Sequence, residues 1–109
     1  MSELLTKIKI HYSFKEISQP LQEDIKELIT RNIKQKLDRY LKKIITNKDD
    51  AEILIDIMIK KNKQWKYEGS FRFNLDGWKF IYTNDVPFKN INDLVNHAFD
   101  RLKERLSKK

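Results

Sequence analysis

The stretch QWKYEGSFRFNLDGWKFIYT, residues 64–83, alternates between two kinds of side chain. Trp65, Tyr67, Phe71, Phe73 and Leu75 fall on one parity; Lys66, Glu68, Ser70, Arg72 and Asn74 fall on the other. A period of two is the mark of a strand with one face buried. Asp76-Gly77 interrupts the beat, and Trp78, Phe80 and Tyr82 resume it. Both central positions of a type I′ turn need positive φ, which Asp-Gly accepts, so two antiparallel strands meet here. The aromatic face is either an open platform for stacking bases or the core of the domain.

The rest of the chain decides between them. Ile8, Ile10 and Tyr12 alternate with Lys7, Lys9 and His11, which predicts a strand over 6–14. Ser18 is a helix N-cap residue type and Pro20 suits a first turn. Leu21, Ile25, Leu28, Ile29, Ile33, Leu37, Tyr40, Leu41 and Ile44 then recur three and four apart, predicting one helix to about Thr46. Asn47-Lys48-Asp49-Asp50 reads as a loop. Over 52–61, Ile53, Ile55, Ile57 and Ile59 alternate with Leu54, Asp56, Met58 and Lys60. Past the hairpin, Asp85 and Pro87 read as the cap and first turn of a last helix, whose stripe is Phe88, Ile91, Leu94, Val95, Ala98, Leu102 and Leu106.

This order, β-α-β-β-β-α, predicts an α+β fold of two layers: a four-stranded sheet with two helices on one face. The last three strands form an antiparallel meander, and the first, joined by a helical crossover, has a parallel neighbour. Two helices with apolar stripes and a sheet with one apolar face satisfy one another when packed together. Left open, that face would expose far more apolar surface than soluble monomers carry. The aromatic face is therefore core, with Trp65 and Trp78 near strand ends the most exposed of it. The other face is polar, without aromatics, and carries Lys7, Lys9, Lys60, Lys66, Arg72 and Lys79 against Asp56 and Glu68.

The chain has 109 residues, the size of one domain, 1–109. With no cysteine, disulfides, cysteine-based zinc sites and thiol chemistry are excluded. No stretch approaches the roughly 20 apolar residues of a membrane span, and the start does not read as a signal peptide, so the expected location is the cytoplasm. Twenty-three basic residues against 16 acidic ones give a net charge of +7, which favours polyanionic partners.

The basic residues concentrate. Arg31, Lys34, Lys36, Arg39, Lys42 and Lys43 stand against one acid, Asp38, over 31–43. Lys36, Arg39 and Lys43 line one helix flank that continues from Asn32, a run of roughly 16 Å. In the last helix His97, Arg101, Arg105 and Lys108 repeat the pattern at spacings of four, four and three. Helix dipoles account for about half a charge per end. The surplus suits phosphates, each of which releases counterions when neutralised.

Catalytic readings find little to stand on. His11 has no carboxylate near it in sequence, and His97 falls within the basic stripe of the last helix. Turn chemistry accounts for Asp49-Asp50, and Gly69 and Gly77 are isolated rather than part of a phosphate loop. The reading is of a non-enzyme without metal or cofactor.

Several local phrases add to this. The chain resembles the short form of the ribosome hibernation promoting factor family (the ribosome-associated inhibitors, or sigma-54 modulation proteins). The resemblance rests on the first strand, on Ile17-Ser18 opening a long helix, on KLDRYL at 36–41, on the three-strand meander and on FKNINDLVNHAFDRLKERLSKK at the end. It implies a fold related to the double-stranded RNA-binding domain. It implies a translation inhibitor of stressed or stationary-phase cells that binds ribosomal RNA in the decoding groove of the small subunit, excluding mRNA and tRNA sterically. It implies RNA contacts at Lys36, Arg101, Arg105 and Lys108; Arg31, Lys34, Arg39, Lys42 and Lys43 are candidates from charge alone.

There are departures from the family pattern. The first helix is more than a turn longer, and Lys89 and Asn90 replace small residues. The chain ends soon after the last helix, without the long form's dimerisation domain, so a monomer is expected off the ribosome. Two alternatives stand beside this reading: a general double-stranded RNA-binding module, and a protein-interaction module that binds no RNA.

Overall fold

The computed structural model describes residues 8–47, 52–84 and 86–108. In chain order the elements are β1 (Ile8–Lys15), α1 (Gln19–Asn32), a π-helical segment (Ile33–Leu37), α2 (Asp38–Asn47), β2 (Ile53–Lys61), β3 (Tyr67–Leu75), β4 (Trp78–Thr83) and α3 (Ile91–Ser107). The sheet order is β1-β2-β3-β4. β1 runs parallel to β2, with Ile8 opposite Ile53, and the other two pairings are antiparallel. The helices cover one face, as the alternation predicts. Ile53, Ile55, Ile57, Ile59, Phe71 and Phe73 are buried beneath Ile25, Ile29, Leu37, Leu94, Phe99 and Leu102. Each such aliphatic or aromatic side chain contributes about 1.5–3 kcal/mol by leaving water. Phe99 fixes the seam, its ring edge-to-face with Phe73 at 5.5 Å and with Phe71 at 6.4 Å.

The β3–β4 turn takes the expected form. Asp76 and Gly77 have φ of 53° and 98°, and Asn74 Oδ1 accepts the Gly77 N–H at 2.8 Å. Ser18 caps α1 through extended backbone geometry, without a side-chain hydrogen bond, and Pro20 lies in the first turn.

The long helix is not one uninterrupted α-helix. Ile25, Ile29, Ile33, Leu37 and Leu41 are all fully buried, and each is four residues from the next. Four residues of α-helix overshoot a turn by about 40°, so four such steps would carry Leu41 about 160° away from Ile25. The π segment accommodates one extra residue in the middle and turns the stripe back by about 100°. The remaining drift of about 60° fits within one apolar stripe.

Three sequence expectations are corrected. α3 starts at Ile91, not near Pro87. Its N-cap is Asn90, whose Oδ1 accepts the Asn92 N–H at 2.8 Å, and Asp85 lies outside the described residues. The preceding segment is instead held by the sheet, where Phe88 and Tyr67 exchange backbone hydrogen bonds of 2.9 and 2.7 Å. Trp65 does not belong to the apolar face, because it sits in the β2–β3 turn and is 75% exposed. Asn32 does not extend the cationic flank, because it is 3% exposed and its Nδ2 donates to the Leu28 carbonyl. Lys7 and Asp49-Asp50 lie outside the described residues.

Candidate nucleic-acid interface

The long helix and α3 carry the cations to two different places. On the first, Arg31, Lys34, Arg39 and Lys43 are exposed and have no ion-pair partner among the described residues. Lys42 is exposed and pairs with Asp38 one turn back at 3.0 Å. That pair is local and Lys42 itself is largely exposed, so it holds Lys42 only weakly.

Lys36 differs from its neighbours. Its side chain is only 22% exposed, and its Nζ lies 2.7 Å from Asp100 Oδ1 and 3.4 Å from the Asn96 carbonyl, both on α3. The π segment positions it there. Lys36 thus fastens the two helices to one another, whatever else it touches.

On α3 the stripe faces away from that seam. Tyr82 and Phe88 hold the His97 ring at centroid distances of 5.6 and 5.8 Å, and the Arg105 guanidinium lies 5.9 Å from the Phe80 ring. With Arg101 and Lys108 they border a groove of about 590 Å³ along the outer edge of β4. Glu104 sits among them, 3.9 Å from Arg101 and 3.6 Å from Lys108. The five exposed cations of the first stripe and Arg101, Arg105 and Lys108 therefore do not merge into one patch. The Lys36–Asp100 pair stands between them, and α3 turns its own stripe toward the β4 edge.

The open sheet face has no exposed aromatic among the described residues, but it is less polar than expected, since Leu54, Met58 and Ile81 are exposed on it. His11 gains a carboxylate that sequence spacing could not show: its Nδ1 lies 3.2 Å from Asp56 Oδ1, directly opposite on β2. Both side chains are solvated. Among the described residues no cluster of three or more histidine, aspartate or glutamate side chains is arranged to hold a metal. No described helix is long and apolar enough to cross a membrane.

A third cationic site escaped the helix-based reading. Lys15, Lys60, Lys61 and Lys63 gather around Trp65 at the β2–β3 turn. The signal was in the sequence, as a tryptophan among lysines in a turn, but the alternation assigned Trp65 to the core.

No protein-family model matches the chain, and neither does any curated protein. Solved structures do. The N-terminal domain of Thermus thermophilus Protein Y superposes with a TM-score of 0.59 at 13% identity, over 92% of this chain and 97% of that one. A ribosomal subunit interface protein from Coxiella burnetii superposes with a TM-score of 0.53 at 19% identity, over 90% of this chain and 94% of that one. The chain has the fold of these two proteins along nearly its whole described length.

Proposed function

We propose that this protein is a ribosome-associated translation inhibitor that occupies the decoding groove of the small subunit and keeps idle ribosomes from mRNA and tRNA by steric occlusion. One observation carries the reading: a chain with clustered, exposed surface cations shares its fold, over nine-tenths of its length, with a ribosomal subunit interface protein. The sequence resemblance points the same way independently of the superposition. The mechanism needs no catalysis. Arg31, Lys34, Arg39, Lys42 and Lys43 on one side and Arg101, Arg105 and Lys108 on the other neutralise ribosomal RNA phosphates. Two separated stripes suit a folded RNA groove with two walls better than a single straight duplex. Lys36 holds the spacing of the two stripes by fastening the π segment to α3, and can contribute charge through its exposed fraction.

The test is co-sedimentation with separated small and large ribosomal subunits, at low and physiological salt, with bulk duplex RNA as competitor. Retention on the small subunit alone, surviving the competitor and lost on Arg101→Glu/Arg105→Glu, is the expected result. Equal retention on both subunits, or full displacement by arbitrary duplex, would favour a general RNA-binding module.

A further inference from the structure

The β2–β3 turn is built at a conformational cost. Asn62 organises it, its Oδ1 accepting the Gln64 and Lys66 N–H groups at 2.9 and 3.0 Å while its Nδ2 donates to Glu68 Oε2 at 3.0 Å. Trp65 N–H donates to the Asn62 carbonyl, and Asn62 N–H to the Lys66 carbonyl. This bonding places Trp65 at φ 64°, the left-handed position that such short loops normally give to glycine. A bulky residue there is a backbone outlier, and such outliers gather at functional sites. Glu16, across the same groove, is also left-handed, at φ 61°.

What the strain secures is an exposed indole ringed by cations. Lys61 Nζ lies 4.8 Å from the Trp65 ring centroid and 5.7 Å from that of Tyr67. It steadies one face of the indole and leaves the other to solvent. Lys15, Lys60, Lys61 and Lys63 border the groove with Glu16; Lys60 also pairs with Glu68 at 3.7 Å, so four cations stand against two anions. The α1–α2 stripe sits at the other end of the molecule, because the helix leaves the end of β1 beside this turn and runs back along the sheet.

We propose that Trp65 and its lysines form a second nucleic-acid site, in which one unpaired base of a single-stranded RNA stacks on the free face of the indole and the adjoining phosphates meet the lysines. Base–aromatic stacking combined with a cationic track is the physics of single-strand binding. A membrane surface is the less fitting occupant. Interfacial anchoring scales with buried apolar area, and Trp65 is the one apolar residue lining the groove, among four lysines, a glutamate and an asparagine.

The full chain would be titrated with a twelve-nucleotide oligouridylate while the two tryptophan indole N–H resonances are followed by NMR, Trp65→Phe assigning them. The expected result is a saturable shift of the Trp65 resonance, with that of Trp78 as internal reference. Trp65→Ala should weaken binding about 5- to 150-fold, the range of one base stack, and Trp65→Phe should restore most of it. An unmoved Trp65 resonance, or unchanged affinity in Trp65→Ala, would overturn the proposal. So would a Trp65 response to vesicles of phosphatidylglycerol and phosphatidylcholine but not to RNA. The site does not rest on the ribosome reading. Loss of small-subunit retention in Arg101→Glu/Arg105→Glu tests that reading, and oligouridylate binding tests this one.

Discussion

Lys36 and Asp100 are 64 positions apart in the chain, yet their side chains meet at 2.7 Å and join the π segment to α3. Asp100 is largely solvated, so the pair is worth about 0.5–1 kcal/mol. Lys36→Glu removes that and sets two carboxylates against each other. It should lower stability more than Lys36→Met, and adding Asp100→Lys should recover at least half of the loss. Urea denaturation of the parent, Lys36→Glu, Asp100→Lys and the double variant measures the cycle. If small-subunit binding stays weak in the stability-restored double variant, Lys36 also touches RNA; if binding returns, its role is to set the helix spacing.

Gly69 is buried in β3, where a Cβ would stand 2.9 Å from Phe71 Cε1 and 3.2 Å from Leu94 Cδ2. Phe71 and Leu94 are fully buried, so neither can give way by swinging into solvent. Gly69→Ala should cost about 1–3 kcal/mol and lower Tm by roughly 5–15 °C. A thermal melt unchanged within about 2 °C would show that the seam between β3 and α3 yields.

Burial raises the Tyr12 hydroxyl from its ordinary value of about 10 to about 12. The folded chain therefore keeps this proton where the unfolded chain has lost it. The sign follows: the contribution is fully present below about pH 10 and is lost as pH rises toward 12. Tyr12→Phe should make stability fall less steeply across that window. Denaturation midpoints of both proteins at pH 9 and pH 11 give the comparison, and equal slopes would contradict it.

Trp65→Gly relieves a left-handed backbone worth about 1 kcal/mol. It also removes a solvated cation–π contact worth about 0.5–1 kcal/mol. The two nearly cancel, so Tm should stay within about 3 °C of the parent while oligouridylate affinity falls. A large loss of stability would mean that the indole serves the fold.

Arg39→Gln and Lys43→Gln should each flatten the plot of log binding constant against log salt by about 0.9 if each side chain neutralises one phosphate. Filter binding to small subunits between 50 and 200 mM salt reads the slope. An unchanged slope would return both residues to a solvated face.

How much of this was legible in the chain depends on how local the cause is. The meander was readable because Asp76-Gly77 and the parity of Phe71, Phe73, Phe80 and Tyr82 are properties of neighbours. The helix was readable from its stripe, yet the spacing of four from Ile25 to Leu41 also encodes the π segment, since no α-helix keeps five such residues on one line. That clue was available and was absorbed into a generic pattern of threes and fours. The late start of α3 was not readable. Asp85-Pro87 and Asn90 both suit a cap, and what selects Asn90 is a backbone bridge from Phe88 to Tyr67, 21 residues away. Trp65 was misplaced because alternation was counted through a turn. The partner of Lys36 was invisible because no rule of spacing links position 36 to position 100.

The parallel ladder between β1 and β2 also sets an order of events in time. Ile8 meets Ile53 across 45 residues of chain, whereas β2, β3 and β4 are joined by short turns. Closing the longer loop costs more entropy before any contact repays it. The strand synthesised earliest in the described chain is thus the one secured last, after the helix has folded back and β2 has emerged. Destabilising changes on β1, such as Ile10→Val, should accelerate unfolding and leave the refolding rate nearly unchanged, and equivalent changes at Phe73 should slow refolding.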